Sequence, residues 1–228
     1  MTPPPLVVAI DGPAGAGKST AAKRLAAQLG LPFVDTGAMY RAAALYLRER
    51  GIDVDDGAAV AALVPELPIS LTLDDGAATV RLEGEIVDKR IRSAEIGALT
   101  SRVAVHPELR AAMVARQRAF VSRHGGVMEG RDIGTVVVPG APCKFFLDAS
   151  PETRARRRHS ELAAGGQDPS LPELERQLRE RDRRDSSRAS SPLVAAPGAT
   201  VIATDGLTID EVVARMRELV AERSASVG

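Results

Sequence analysis

A glycine-rich segment near the start of the sequence carries the residue types that bind phosphate. The run GPAGAGKS, residues 12–19, fits the spacing G-x-x-x-x-G-K-[ST] of a phosphate-binding loop. Its glycines let backbone N–H groups converge on phosphate oxygens, and the helix that follows directs the positive end of its dipole at them. Lys18 supplies a charge for the β- and γ-phosphates, and the Ser19 hydroxyl can coordinate Mg²⁺. An apolar strand precedes the loop and an alanine-rich helix follows it, so the segment predicts a nucleoside triphosphate site rather than a bare glycine turn.

A second segment with anion-binding residues, DTGAMYR at residues 35–41, follows the next predicted strand. It combines the Thr36 hydroxyl, a glycine and the Arg41 guanidinium, which together could bind an anionic acceptor. The plain structural interpretation is an N-cap, in which Asp35 or Thr36 caps the helix that begins near Ala38. The two interpretations are compatible.

Two segments that carry arginine and aspartate complete the set. The segment EGRDIGT follows a short strand and places Arg131 and Asp132 at the same edge of a sheet, unless it is only a turn with a local ion pair. Farther along, Arg181, Asp185 and Arg188 are spaced by four and three residues, which puts them on one helical face if the helix extends that far. A solvated salt-bridge face is the alternative, but the serines and proline that follow are poor residues for a merely exposed helix. Because arginine pairs bidentately with phosphate, these clusters favour a second anionic site.

The composition excludes several classes of function. The 228 residues carry 30 basic and 30 acidic side chains and only 3% aromatic residues, which argues against a general nucleic-acid-binding surface. The single cysteine, Cys143, rules out an internal disulfide and fits a reducing compartment, and the three histidines lack metal-ligand spacing. No apolar stretch approaches the ~18 residues of a membrane span and the first residues do not resemble a signal peptide, so we expect a cytoplasmic protein without a membrane partner.

Alternating strands and helices predict an α/β fold with a parallel sheet covered by helices on both faces. The predicted strands are Leu6–Asp11, Pro32–Asp35, Gly126–Met128, Lys144–Asp148 and Thr200–Thr204. The predicted helices are Ser19–Leu29, Met39–Arg50, Glu108–Arg123, Pro151–Ala163, Leu171–Arg183 and Ile209–Arg223. Ligands of such sheets bind beyond the carboxyl ends of the strands, where the motifs described above lie.

An antiparallel meander interrupts this alternation. A strand begins at Pro68 and ends in a turn at Asp74–Gly76, and two short strands follow at residues 79–83 and 85–88. A helix is expected from about Ser93. The segment therefore predicts a small accessory lobe inserted into the α/β chain.

Taken together, these segments resemble the bacterial cytidylate kinase family. The stretches IDGPAGAGKST, DTGAMYR, EGRDIGTVV and RDRRDSSRA occur in the family's order and near its spacing. The insert between Val64 and Ser101 is similar to the family's extra nucleotide-monophosphate lobe. The resemblance extends from about Leu6 to Arg217. The phosphate loop alone is shared by many kinases and hydrolases, whereas the combination is specific.

The resemblance implies an ATP-dependent kinase that phosphorylates CMP and dCMP in pyrimidine nucleotide metabolism, with Mg²⁺ accompanying ATP and Ser19 as a ligand of the metal. The implied fold is the parallel sheet of the P-loop nucleoside monophosphate kinases. Its core would comprise residues 6–62, 102–153 and 189–223, with a nucleotide-monophosphate-binding insert of about 63–101 and a helical lid of about 154–188. The resemblance further implies a monomer whose partners are ATP and CMP or dCMP, with no nucleic acid polymer.

The resemblance also assigns roles to individual residues. ATP would be held by Gly12, Pro13, Ala14, Gly15, Ala16, Gly17, Lys18, Ser19 and Thr20, together with Arg154 and Arg157. CMP would be held by Thr36, Arg41, Ser101, Arg110, Arg131, Asp132, Arg181, Asp185 and Arg188, with Ser101, Arg110 and Asp132 reading the cytosine. The catalytic set would be Lys18, Arg131, Arg158, Arg181 and Arg188. Thr36 stands where serine is also common in the family, and the lid loop 165–171 matches no fixed pattern.

Two other functions stay open at the level of the sequence. One is another small-molecule kinase of the same fold, acting for example on shikimate or adenylate. A shikimate kinase would show Asp-x-Asp after the second strand, where this chain has Asp35 followed by Thr-Gly. The other is a slow nucleotide-operated switch, for which Asp148 after an apolar strand superficially offers a Mg²⁺ ligand. The arginines on the acceptor side have no role in a switch.

Overall fold

The computed structural model describes residues 5–188 and 191–225, without the side chains of Ala94, Ser224 and Ala225. Residues 189 and 190, where the predicted core resumes and the segment RDRRDSSRA ends, lie outside the described residues. The strands of the described part are β1 (Val7–Asp11), β2 (Phe33–Asp35), β3 (Ile69–Asp74), β4 (Ala77–Leu82), β5 (Glu85–Ile86), β6 (Gly126–Glu129), β7 (Cys143–Asp148) and β8 (Thr200–Ala203).

The helices of the described part follow the predicted pattern closely. They are α1 (Lys18–Leu29), α2 (Thr36–Glu49), α3 (Gly57–Leu63), α4 (Ala94–Val103), α5 (Pro107–His124), α6 (Pro151–Ala164), α7 (Leu171–Ser186) and α8 (Ile209–Ala225). The sequence analysis did not predict α3, a seven-residue helix too short to show a helical period. α7 continues past its predicted end and includes Asp185, whereas Arg188 follows the helix rather than lying on it.

Five parallel strands in the order β2-β6-β1-β7-β8 form the central sheet, which confirms the predicted α/β class. Adjacent residues of β1 point to opposite faces. Val8 and Ile10 pack in a core with α1 and α8, and Ala9 packs in a core with α5. Ile10 pairs with Glu129 of β6 and with Phe145 of β7, so the carboxyl ends of these three strands meet at one edge. This edge carries the motifs.

A second, antiparallel sheet in the order β3-β4-β5 confirms the predicted meander. Asp75 and Gly76 both have positive φ, 49° and 79°, as a two-residue hairpin turn with the right twist requires. Apolar residues of β3 and β4 share one buried core with α2, α4 and α5. The small sheet is therefore packed against α2, whose N-cap and first six residues are the DTGAMYR motif. Within residues 5–188 and 191–225, no helix is long and apolar enough to cross a bilayer.

Candidate active site

Residues 12–17 connect β1 to α1 and form the predicted phosphate loop. Three of its glycines have φ of 143°, 79° and 86°, a region that residues with a side chain rarely adopt. At Gly12 a Cβ atom would lie 2.0 Å from the Leu147 carbonyl oxygen of β7, so any side chain there would collide with the sheet. α1 begins at Lys18, and the positive end of its dipole therefore faces the loop.

The Lys18 side chain is buried against this loop, and its Nζ donates a 2.7 Å hydrogen bond to the Pro13 carbonyl. Burial, reinforced by the positive charge of Arg131, lowers the pKa of Lys18 to about 7. An anion bound in the loop would stabilise the charged ammonium group. Binding of a phosphate in the loop would therefore favour the protonated form of Lys18.

Glu129, the last residue of β6, contacts both sides of the site. Ser19 Oγ donates a 2.8 Å hydrogen bond to its carboxylate, and Thr36 Oγ1 donates a 2.7 Å hydrogen bond to its backbone carbonyl. A hydroxyl and a carboxylate are the oxygen ligands that Mg²⁺ prefers, so the Ser19–Glu129 pair fits a magnesium ion carried by nucleotide phosphates. Across the part of the chain that the structure describes, no group of three or more His, Cys, Asp or Glu residues could hold a metal ion by itself.

Asp11, the last residue of β1, holds the loop that follows β6. Its carboxylate accepts 2.8 Å hydrogen bonds from the backbone N–H groups of Ile133 and Gly134, which begin a single π-helical turn (Ile133–Val137). Burial raises the pKa of Asp11 to about 6, although the two amide donors oppose the shift. The contact fixes the turn directly behind Asp132.

A cleft of about 90 Å³ opens beside Glu129 and is lined by residues of α2, α4, α5, α7 and the loop after β6. It brings together all nine residues predicted for the acceptor: Thr36, Arg41, Ser101, Arg110, Arg131, Asp132, Arg181, Asp185 and Arg188. It is also lined by six residues not predicted: Gly37, Tyr40, Thr100, Ala104, Glu129 and Gly130. We refer to it as the acceptor cleft.

Asp185 organises three arginines of the acceptor cleft. Arg131 Nε donates to it at 3.1 Å, Arg188 donates to its other oxygen, and Arg181 Nε lies 3.9 Å away. Burial opposes ionisation of Asp185, but the three guanidinium groups outweigh it and hold the pKa of the carboxyl below its usual range. Burial and the charge of Arg131 lower the pKa of Arg181 to about 10.

Several donors of the acceptor cleft lack an acceptor. Within the described residues, the buried Nε atoms without a hydrogen-bond partner include those of Arg41, Arg110, Arg181 and Arg188. A buried donor without a partner costs about 1–3 kcal/mol, and more when it is charged. An anionic ligand would supply the acceptors that these groups lack, so the cleft fits an anion.

The deeper wall of the acceptor cleft combines Arg110 with Asp132. The two side chains are buried and form an ion pair, and Arg110 Nη1 also donates to the Ala104 carbonyl at 3.2 Å. The guanidinium of Arg110 lies 5.4 Å from the centre of the Tyr40 ring, and burial raises the pKa of Tyr40 to about 12. Ser101 Oγ donates to the Ala98 carbonyl at 3.3 Å. This wall offers both donors and acceptors to a polar ring.

At the start of α2, both interpretations of the DTGAMYR segment hold. Asp35 Oδ1 accepts a 3.0 Å hydrogen bond from the Ala38 N–H, so Asp35 rather than Thr36 is the N-cap. Asp35 Oδ2 also pairs with Arg41 Nη2 at 2.5 Å. The cap therefore holds Arg41 at the acceptor cleft, while the Thr36 hydroxyl is used at Glu129.

A second cleft, of about 360 Å³, lies on the other side of the loop, and we refer to it as the donor cleft. Of the residues predicted to hold ATP, Gly15, Ala16, Gly17, Thr20 and Arg157 line it. Its remaining wall includes the apolar side chains of Leu147, Leu207, Ile209 and Val212. Such a mixed wall suits a base and a phosphate chain.

The three predicted lid arginines lie in different surroundings. Arg157 lines the donor cleft and donates to the Thr204 hydroxyl at 2.9 Å and to the Thr204 carbonyl at 2.8 Å. Arg158 is exposed and lines neither cleft, but it pairs at 3.0 Å with Glu161, which lines the donor cleft. Arg154 is buried and lines neither cleft.

Similarity to known proteins covers nearly the whole chain. A sequence model of the family described as cytidylate kinase matches residues 8–222. The chain belongs to the cytidylate kinase family. A cytidylate kinase from Geobacter sp. (strain M21) is 47% identical over 220 residues, which are 96% of this chain and 94% of that protein. A bifunctional pantoate ligase/cytidylate kinase from Synechococcus sp. (strain WH7803) is also 47% identical, over 96% of this chain and 45% of that longer protein.

The fold of this cytidylate kinase family member also occurs in a distant kinase of known structure. A gluconokinase from Sinorhizobium meliloti 1021 superposes with a TM-score of 0.50 at 18% identity, over 98% of this chain and 95% of that one. That likeness shows the fold alone. The family match identifies the chain as a nucleoside monophosphate kinase.

Three residues of this cytidylate kinase family member with a clear place in the site were not singled out from the sequence. They are Asp11, Glu129 and Thr204. Asp11 and Glu129 each end a strand beside a recognised motif, and an acidic residue at that position was the available signal. Thr204 offered no signal, because its role depends on Arg157, which is distant in the chain.

Proposed function

We propose that this protein transfers the γ-phosphoryl group of ATP to the 5′-phosphate of CMP or dCMP, giving ADP and CDP or dCDP. The observation that supports this most directly is the pair of clefts beside the phosphate loop, one lined by residues of the loop and the other lined by Glu129, which accepts a hydrogen bond from Ser19. The donor cleft is lined by Gly15, Ala16 and Gly17 of the phosphate loop, and the acceptor cleft contains four arginines whose Nε donors lack a partner among the described residues. A kinase that transfers a phosphoryl group between two anionic substrates needs a binding cleft for each of them.

In this proposal the acceptor phosphate binds Thr36, Arg41, Arg131 and Arg188. Arg131 and Arg188 are held by the carboxylate of Asp185, which keeps two cations close together before the substrate arrives. A phosphate dianion then adds acceptors to guanidinium groups that are already oriented, so little side-chain entropy is lost on binding. Arg181 and Asp185 would meet the ribose and the phosphates.

The cytosine ring is proposed to lie against Ser101, Arg110 and Asp132. The exocyclic amino group of cytosine is a donor and needs an acceptor, for which Asp132 is suited. Arg110 and Ser101 can donate to the ring nitrogen and carbonyl. Uracil presents a carbonyl at the position of that amino group, so it would place an acceptor against the buried carboxylate, which is also an acceptor. Sites of this hydrogen-bonding kind discriminate better than apolar ones.

ATP is proposed to occupy the loop from Gly12 to Thr20, with Arg157 beside it and Arg154 and Arg158 on the same helix. Mg²⁺ bound with ATP would be held by Ser19 and Glu129, and would offset negative charge on the phosphate oxygens. Lys18 would bind the β- and γ-oxygens, which restores the charge that its buried site disfavours.

Phosphoryl transfer needs positioning and charge stabilisation more than covalent chemistry from the protein. Lys18, Arg131, Arg158, Arg181 and Arg188 are the proposed catalytic residues. They would neutralise charge on the transferred group. A general base is unnecessary in this scheme, because the attacking phosphate oxygen is already ionised. Asp132 therefore orients the acceptor rather than removing a proton.

The proposal extends to domains and setting. Residues 6–62, 102–153 and 189–223 would form the core, about 63–101 the acceptor-binding insert, and about 154–188 a lid that closes over both substrates and excludes water. The protein would act as a monomer in the cytoplasm. ATP and CMP or dCMP would be its partners.

The test is ADP release from Mg-ATP measured with CMP, dCMP, UMP, AMP, GMP and shikimate in turn. We expect the highest rates with CMP and dCMP, and a Lys18→Ala variant as the inactive control. A higher rate with AMP or shikimate would indicate a different acceptor. A rate that is the same without any acceptor would indicate a slow nucleotide switch.

A further inference from the structure

Arg154 makes three contacts that tie separate parts of the molecule together. Its Nε donates to the Ala149 carbonyl at 3.0 Å, and its Nη1 donates to the Ala14 carbonyl at 3.1 Å. Its Nη2 forms an ion pair with Asp182 Oδ2 at 2.6 Å. The side chain is only 4% exposed. A guanidinium used and buried in this way is poorly placed to bind ATP directly.

The contact with the phosphate loop is close as well as polar. At Gly15 a Cβ atom would lie 3.0 Å from the Arg154 Cβ, so the missing side chain of Gly15 lets the loop approach α6. Ala14 packs against a small apolar cluster of Ala155, Leu174 and Leu178, which belongs to α6 and α7. The tip of the loop is therefore seated on these two helices.

The hydrogen bond to Ala14 has a directional consequence. The carbonyl and the amide N–H of a trans peptide point in opposite directions. Holding the Ala14 carbonyl against Arg154 therefore turns the N–H of Gly15 away from Arg154 and fixes its direction. In a phosphate loop the directions of such N–H groups determine how well they meet phosphate oxygens.

The contact with Asp182 reaches the acceptor side. Asp182 lies on α7 next to Arg181 and three residues before Asp185, both of which line the acceptor cleft. Its second oxygen, Oδ1, is buried without a hydrogen-bond partner among the described residues, so the Arg154 contact is the one that holds this carboxylate. Releasing it would remove a buried polar contact between α6 and the part of α7 that carries Arg181 and Asp185.

We propose that Arg154 is a positioning residue that couples the phosphate loop to α7, through Ala14 on one side and Asp182 on the other. This inference rests on the proposed two-substrate kinase function and revises the role of Arg154 from ATP ligand to internal tether. It means that the loop which orients the donor and the helix which orients the acceptor share one buried guanidinium.

The decisive variant is Asp182→Asn, because Asp182 lines neither cleft and the substitution preserves the size of the side chain. We expect KM to rise for both ATP and CMP, and kcat/KM for each to fall about tenfold, within the range seen for residues of one contact network. A substitution that only destabilised the fold would lower the active fraction, and hence kcat, while both KM values stayed unchanged.

The matched control is Glu152→Gln. Glu152 and Arg179 form another ion pair between α6 and α7, 3.1 Å long, with both side chains 52% exposed. It touches neither the loop nor either cleft. We expect this variant to keep both KM values and kcat, which separates loss of the tether from general loosening of the two helices.

Arg154→Lys and the double variant Arg154→Lys/Asp182→Asn complete the cycle. If the two residues act as one network, the double variant is no worse than Arg154→Lys alone. Effects that multiply would contradict the proposal. A second contradicting result is also possible. If Asp182→Asn leaves both KM values unchanged and Arg154→Lys raises KM for ATP only, Arg154 is an ATP ligand and not a tether. If Arg154→Lys does not fold, Asp182→Asn carries the test. CMP phosphorylation by the wild-type protein is measured first. If the wild type does not phosphorylate CMP, the proposed function fails, and this result is distinct from a failure of the tether proposal.

Discussion

Ser19 and Glu129 are joined by a 2.8 Å hydrogen bond although 110 residues separate them in the chain. Ser19 follows the lysine of the phosphate loop, and Glu129 ends the neighbouring strand β6. Because the backbone of Glu129 also accepts the Thr36 hydroxyl, a single residue positions one group on each side of the proposed transfer.

Glu129→Gln is predicted to lower kcat by about 10- to 100-fold, because small misplacements of aligned substrates have effects of that size. The substitution removes the carboxylate charge beside Ser19 but preserves the backbone bond to Thr36. Steady-state kinetics with CMP measure the effect, and Glu66→Gln on the exposed surface serves as the control. Kinetic constants within about twofold of wild type would remove Glu129 from the site.

Arg188→Ala is predicted to lower kcat by about 10³-fold, the lower end of what charge-neutralising arginines contribute in phosphoryl transfer. Arg188 lines the acceptor cleft and pairs with Asp185, and its buried Nε has no hydrogen-bond partner among the described residues. Arg184→Ala is the matched control, since Arg184 lies on α7 with its side chain 48% exposed. Turnover close to wild type in a folded Arg188→Ala protein would contradict the assignment.

Asp132→Ala is predicted to lower the ratio of kcat/KM for CMP to kcat/KM for UMP by about a hundredfold. The reason is that side chains that hydrogen-bond to the base account for most base discrimination. The variant leaves Arg110 without its buried partner, so overall activity falls as well. The ratio between the two substrates, rather than either rate, is the measurement. An unchanged ratio with reduced activity would show that Asp132 is not the base reader.

The pH dependence of kcat/KM for ATP should follow the protonation of Lys18. With a pKa of about 7 in the free protein, this lysine loses its charge as pH rises, and the uncharged form binds phosphate poorly. We therefore expect kcat/KM for ATP to fall between about pH 7.5 and 9.5, by up to about tenfold per pH unit. At saturating ATP the bound phosphates raise the pKa of Lys18, so kcat should vary less. A flat kcat/KM profile over this interval would argue against a depressed lysine pKa.

Asp11 should make the protein less stable as pH rises through the weakly acidic range. Its folded pKa of about 6 lies above the ordinary value of 3.8, so the folded state binds more protons between these values. The favourable contribution is fully present below pH 3.8 and is lost as pH rises through 6. The difference between a pKa of 3.8 and one of about 6 corresponds to about 3 kcal/mol of unfolding free energy. Denaturant unfolding at several pH values measures the unfolding free energy of wild type and of Asp11→Asn. The difference between the two proteins should change with pH, and a difference that is nearly independent of pH would contradict the prediction.

The acceptor cleft shows how far the sequence was informative. Seven of its nine predicted residues come from segments that follow strands or from the predicted helical face of α7, and parallel strands bring strand-end motifs to one edge. The other two, Ser101 and Arg110, were predicted only from the family resemblance. The five predicted strands of the central sheet lie within one residue of the observed ones, since short apolar runs between turn residues are strong signals. In the meander, the predicted start of β4 and the predicted end of β5 are each wrong by two residues.

Contacts between distant segments could not be predicted in this way. The bond from the Ile133 N–H to Asp11 spans 122 residues, and it depends on how the π-helical turn is placed rather than on any local pattern. The end of α7 is a second example. Spacing alone put Arg188 on the helical face, but the helix ends at Ser186, and Arg188 reaches Asp185 from the segment beyond.

Gly12 changes how the glycine motif should be understood. Its φ of 143° and the 2.0 Å separation between a hypothetical Cβ and the Leu147 oxygen are properties of the strand packing, independent of any nucleotide. The first glycine of the motif is therefore a requirement of folding, and its presence in a sequence reports the junction of two strands. Lys18 and Ser19, which the packing does not demand in the same way, carry the diagnostic value for phosphate chemistry.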